Sequence, residues 1–183
     1  MSSYSIYIKL ALLLFIFLTT DFFLSDQSSS AKPITLRENY VRALKSFKGA
    51  SYAPAGDSNG ISCSTFVRKA LIETVGTDQA MRSSLESHPC LSDDLRKGCD
   101  NQLSFVIKAQ NFNSLNYDKI QLGDIAVLGN KIGIHTMAYI GNKTWIHSDP
   151  VAEEVIESIE PEDYDDWDTF EVNIWRWNVL KDN

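Results

Sequence analysis

The stretch NGISCSTFVRKALIE, Asn59 to Glu73, decides how the chain is read. Phe66, Val67, Ala70 and Leu71 recur at helical spacing and make one apolar face. Gly60 is a poor helix-interior residue and serine is a good N-cap, so the helix is expected to start at Ser62 or Cys63. A cysteine then stands in the first helical turn. Unpaired N–H groups and the helix dipole favour thiolate over thiol at such a place. A thiolate is a nucleophile if a proton acceptor is close. A lone free cysteine is more often a small buried hydrophobe, so Cys63 needs partners elsewhere in the chain.

Upstream, TLRENYVRALKSF carries Thr35 three residues before Glu38, the spacing of a capping box, and then Tyr40, Val41, Leu44 and Phe47 at helical intervals. KGASYAPAGDSNG is rich in Gly, Pro, Asp and Asn and reads as a loop. Residues 77–118 read as helical and irregular. From Gly123 the texture changes. GDIAVLGN, HTMAYIGNK and TWIHSD are short β-leaning runs divided by Gly-Asn or Asn-Lys turns, and FEVNIWRWNV is a later strand only partly in alternation. Helices first and an antiparallel sheet second argue for an α+β domain. His88 adjoins Pro89 in the loop region and is set aside. His135 opens one strand and His147 closes the next, so a hairpin about Gly141-Asn142 brings the two imidazoles to one end of the sheet. With Cys63 they make the layout of nucleophile, base and orienter.

The rest of the chain sets limits. Its 183 residues, 44% of them hydrophobic, suit one globular domain. Lys9 precedes the apolar run Leu10 to Leu18, and small residues follow up to Ser29-Ser30-Ala31. That pattern is a secretory signal over residues 1–31, with retention as an anchor the alternative. Residues 32–183 are then the mature domain, periplasmic or extracellular, and the N-terminal run is its only segment expected to touch a membrane, transiently. Outside the cytosol, three cysteines suggest one bridge and one free thiol. Cys90 and Cys99 lie close together in HPCLSDDLRKGCDN and are expected to pair, which leaves Cys63 free. No CxxC or HxxxH spacing supports a metal site. From Val151 onward there are eleven acidic and two basic residues, against thirteen and fifteen before it. The acidic stretch reads as a solvated loop and surface strand. Nothing is basic enough for nucleic acid.

SYAPAGDSNGISCSTFVRKAL resembles the nucleophile block of the NlpC-type, papain-like cysteine peptidases of bacterial cell walls, in which an upstream Tyr and a Gly-containing loop precede Asp-Cys-Ser-Gly-Phe-Val. LGDIAVL and IGIHTMAYIGNKTWIHS resemble the second block, including a twelve-residue step from His135 to His147. The resemblance covers about a third of the chain and implies a papain-like α+β fold, with residues around 77–118 as an insert. It implies Cys63 as nucleophile, His135 as general base and acid, His147 as its orienter, and Tyr52 as an oxyanion donor. Tyr52, Ser62 and Ser64 are the residues it places against substrate. Two positions depart from the pattern: Ser62 stands where the family has Asp, and Thr65 where it has Gly. The insert forms one wall of a substrate groove or is a surface decoration.

The activity implied is cofactor-free cleavage of amide bonds in peptidoglycan stem peptides. The same residues also suit a related amidase at the sugar–peptide link or a thiol acyltransferase, including a transglutaminase-like arrangement that uses Asp149 beside His147. A reading from another class is a non-catalytic envelope binding module, which the loss of the family's Asp supports.

Overall fold

The computed structural model describes residues 34–55, 57–76, 78–88, 90–129, 134–159 and 170–181. The expected signal segment, 1–31, and residues 160–169 of the acidic stretch lie outside them. Among the described residues there are four α-helices: α1 (Leu36–Ser46), α2 (Cys63–Val75), α3 (Gln79–Ser87) and α4 (Ser92–Leu95). Six strands follow: β1 (Leu103–Ala109), β2 (Ile125–Gly129), β3 (Ile134–Gly141), β4 (Thr144–Asp149), β5 (Glu154–Ile159) and β6 (Val172–Trp177). They form one antiparallel sheet in the order β1-β6-β2-β3-β4-β5. None of these helices is long and apolar enough to cross a membrane.

Local chemistry sets the helix starts. Thr35 and Glu38 close the reciprocal capping box at the head of α1. Ser62 is the extended N-cap of α2, and its hydroxyl accepts from the Thr65 N–H. One face of α2, Phe66, Val67, Ala70 and Leu71, is fully buried, and each large side chain there contributes about 1.5–3 kcal/mol. Tyr40 links α1 to this core. Its hydroxyl donates to the Val67 carbonyl at 3.0 Å and accepts from Trp177 Nε1 at 3.2 Å, so one side chain joins α1, α2 and β6.

The sheet separates two apolar clusters. Ile125, Val127, Ala138, Ile140 and Ile146 face the helices, and Ala126, Leu128, Met137, Trp145, Val172 and Ile174 face the other way. Phe112, Leu115 and Ile120, from the connection between β1 and β2, cover that second face. Burial on both faces explains why β2 and β6 show little alternation in sequence. Strand β1 falls within residues 77–118, which were expected to be helical and irregular. A register shift between Phe105 and Ile107 breaks its period of two, and its pattern fits no simple template.

The Gly-Asp pair before β2 has a structural duty. Gly123 has φ +80°, and a Cβ there would meet Tyr40 Cδ1 at 2.7 Å. Asp124 is fully buried and takes two hydrogen bonds of 2.7 Å from Arg176, with Arg37 at 3.9 Å. This fork binds β6 to the start of β2. The insert belongs to the core. Cys90 and Cys99 form a disulfide, and both pack with Leu95 and Leu103 into the helix-side cluster.

Candidate active site

The site assembles where α2 begins and β3 and β4 meet. Strands β3 and β4 are joined by Asn142-Lys143, at φ +51° and +56°, a two-residue turn whose twist suits the hairpin. The register shifts between Tyr139 and Gly141, and with that bulge His135 and His147 fall on the same sheet face, together with Met137 and Trp145. His135 Nε2 lies 3.0 Å from His147 Nδ1, with the rings edge to face. His147 Nε2 lies 3.0 Å from the Ser158 hydroxyl of β5. Asp149 Oδ2 is 3.8 Å from His147 Nδ1, and its other oxygen accepts from the N–H groups of Val151 and Ala152 at 2.6 and 3.1 Å. His147 and Asp149 are fully buried and His135 is partly exposed.

Cys63 is the first residue of α2 and is 9% exposed. Its sulfur sits 4.0 Å from the Ser92 hydroxyl of α4, so the insert forms a wall over the thiol. The N–H and hydroxyl of Thr136 and the N–H of Ser64 also face the sulfur. The Thr136 N–H belongs to the peptide that follows His135, whose side chain lies on the opposite face of β3 from the Thr136 side chain. Among the described residues no hydrogen bond joins the sulfur to either imidazole.

The loop before the cysteine is held from three directions. Ser148 donates to the Ile61 carbonyl at 2.6 Å, Ile61 N–H donates to the Ser51 carbonyl at 3.0 Å, and Tyr52 N–H donates to the Glu153 carbonyl at 2.8 Å. Gly60 lies in this crossing, where a Cβ would meet Ser51 O at 2.6 Å and Ala53 Cβ at 2.8 Å. The packing brings half-buried Tyr52 toward Cys63. Burial first, and the neighbouring sulfur second, push the Tyr52 phenol up, so it remains a hydroxyl donor at neutral pH.

Burial dominates the electrostatics. It pushes the Cys63 thiol up, against the donors from Thr136, Ser92 and Ser64. The helix N-terminus was expected to favour thiolate; burial of the sulfur acts in the opposite direction and is the larger effect against these hydrogen bonds. Burial also lowers both imidazoles. His135 falls to about 3, with its neighbour His147 adding to the shift, and His147 falls to about 4, with Asp149 opposing. The resting site is therefore a neutral thiol beside neutral imidazoles.

The remaining expectations sort by place. Ser62 is buried and its hydroxyl donates to Thr65 Oγ1 at 2.8 Å as well as capping the helix. The two departures from the family pattern, Ser62 and Thr65, are thus hydrogen-bonded partners. The Ser64 side chain is also buried. His88 is exposed at the end of α3, on the Ser87 hydroxyl at 2.9 Å. Sequence reasoning missed Ser92, Thr136 and Ser158. Only Thr136 carried a local signal, because strand alternation sends it to the face opposite His135. Among the described residues no group of three or more His, Cys, Asp and Glu side chains is arranged to hold a metal ion.

No protein-family model and no curated protein sequence matches the chain. Solved structures do match in shape. The peptidoglycan hydrolase RipB from Mycobacterium tuberculosis superposes with a TM-score of 0.53 at 19% identity, over 80% of this chain and 66% of that one. The P60 domain of an antigen from M. avium subspecies paratuberculosis gives 0.54 at 17% identity, over 80% and 96%. The fold is of the NlpC/P60 type. An N-acetylmuramoyl-L-alanine amidase from Bacteroides uniformis shares it, with a TM-score of 0.57 at 12% identity, over 78% of this chain and 98% of that one. Within the NlpC/P60 fold this chain has six antiparallel strands and four α-helices among its described residues.

Proposed function

We propose that the chain is an exported cysteine hydrolase that cleaves amide bonds in peptidoglycan stem peptides, with Cys63, His135 and His147 as its triad and residues 1–31 as its export signal. The observation that carries the reading is the 3.0 Å pairing of His135 with His147, on the strand whose next residue, Thr136, faces the Cys63 sulfur. The NlpC/P60 fold, shared with a protein described as a peptidoglycan hydrolase, supports the substrate class.

The mechanism uses the tautomers in which His135 Nε2–H donates to His147 Nδ1 and His147 Nε2–H donates to Ser158 Oγ; the 3.0 Å distances fit either direction. His135 Nδ1 is then the atom assigned to take the thiol proton. In this reading substrate binding brings the sulfur and the His135 imidazole together around the start of β3, as catalytic contacts that are long at rest tighten in the complex. The Cys63 sulfur then attacks the amide carbonyl, and its proton passes to His135. The Tyr52 hydroxyl and the Cys63 N–H stabilise the oxyanion, at about 3 kcal/mol per donor. His135 returns the proton to the leaving amine. Water hydrolyses the thioester, giving one proton to His135 and then to the sulfur. No cofactor takes part in this sequence. Because thiol and imidazoles start neutral, thiolate forms only as the reaction begins.

A second reading has one supporting observation, the fold shared with the Bacteroides amidase. It puts the scissile bond at the sugar–peptide link. Digestion of purified peptidoglycan by wild type and Cys63→Ala, with mass analysis of the fragments, tests both. Wild type should release fragments that Cys63→Ala does not, and their termini identify the bond. The same fragments from both proteins would remove the hydrolase reading.

A further inference from the structure

We propose that Thr136 is a catalytic residue: its hydroxyl is a hydrogen-bond donor held in reserve for the Cys63 sulfur once that sulfur is ionised. The inference rests on Cys63 being the nucleophile, and it assigns a role to a side chain that the triad does not use. Thr136 is fully buried, and its Oγ1 has no hydrogen-bond partner in the resting site. Buried hydroxyls are rarely left so, because the lost hydration is not replaced. A valine would fill the same strand position, with the same branching, and carry no unmade bond. For folding alone the hydroxyl is a liability.

Its position supplies the reason. Alternation along β3 turns Thr136 to the helix side, with Ala138 and Ile140, and there it faces the sulfur at the head of α2. Thr136 thus offers that atom two donors, its N–H and its hydroxyl. A neutral thiol is a weak acceptor, and the hydroxyl gains little from it. A thiolate is a strong acceptor, so the bond forms when charge appears on sulfur. An interaction made only in the reacting state accelerates the chemical step, whereas one made equally at rest does not. The other groups around the sulfur are the Tyr52 phenol from the preceding loop, the Ser92 hydroxyl from α4 and the Ser64 N–H of its own helix. His135, His147 and Asp149 stand beyond, on β3 and β4. A change at Thr136 alone leaves all of these in place.

The test needs no substrate. In the full chain with its Cys90–Cys99 disulfide intact, Cys63 is the free thiol. The rate of its alkylation by iodoacetamide, followed against pH, reports thiol ionisation. Thr136→Val should raise the apparent thiol pKa by about one unit and slow alkylation at neutral pH about tenfold. Thr136→Ser should restore both to near the wild-type values. Thr136→Ala serves in the same way if the valine variant does not fold. Wild-type ionisation in the variants lacking the hydroxyl would overturn the proposal, whatever their stability. The outcomes separate from those of the preceding reading. A shifted profile in a protein that does not cut peptidoglycan keeps Thr136 and removes the hydrolase. Hydrolysis by wild type with an unshifted profile in the variants does the reverse.

Discussion

Acid should weaken this protein through its two buried imidazoles. In the unfolded chain each titrates near 6.5, and in the folded protein His135 is lowered to about 3 and His147 to about 4. Above the unfolded value neither state binds a proton and the groups cost nothing. Below it the unfolded chain takes up protons that the folded site refuses. The loss therefore begins near 6.5 and levels off only as the folded values are reached. Each pH unit in that window costs about 1.4 kcal/mol per histidine. At about pH 5 this is roughly 2 kcal/mol each and roughly 4 kcal/mol for the pair. The His135 share is an upper bound, because part of that side chain meets solvent. Urea unfolding at about pH 7 and about pH 5 measures the loss, and the double variant His135→Asn/His147→Gln provides the baseline in which all other titrating groups cancel. Wild type should lose several kcal/mol more than the double variant. An excess under about 1 kcal/mol would mean that the imidazoles are not held neutral, and the account of the resting site would fail.

Three further outcomes follow from particular contacts. Gly60→Ala places a methyl where Ser51 O stands at 2.6 Å, so the loop must shift. We expect peptidoglycan cleavage to fall at least tenfold for a stability cost of about 1–3 kcal/mol, measured by fragment release and urea unfolding. Asp124→Leu takes the fully buried acceptor of the fork from half-buried Arg176, and the melting temperature should drop in line with a loss of about 1.5–3 kcal/mol; an unchanged melting curve refutes the anchoring role. Replacing Cys90 and Cys99 by serine removes a short loop closure worth about 2–3 kcal/mol in urea unfolding, and it should speed Cys63 alkylation as α4 loosens above the sulfur.

Much of the site was readable because its parts are local. The Ser62 cap and the helix face from Phe66 to Leu71 sit within a dozen residues, so their spacing announces a helix that starts at Cys63. The β3–β4 hairpin was legible from its turn, but its register was not: only the bulge between Tyr139 and Gly141 puts His135 and His147 on one face. The close cysteines of the insert announced their own bridge. β1 was not readable, because its bulge hides its period and its partner, β6, lies far along the chain.

The sequence by itself determined which residues could do chemistry and how the elements carrying them begin and turn, since caps, turns and periodicity act over a few residues. Only the tertiary structure decided the state of those residues. The insert lays Ser92 on the sulfur, β3 turns Thr136 toward it, and the sheet buries both imidazoles. Desolvation depends on everything packed around a group, and no local pattern records that. It is why a cysteine expected to be thiolate from its helix position rests as a thiol.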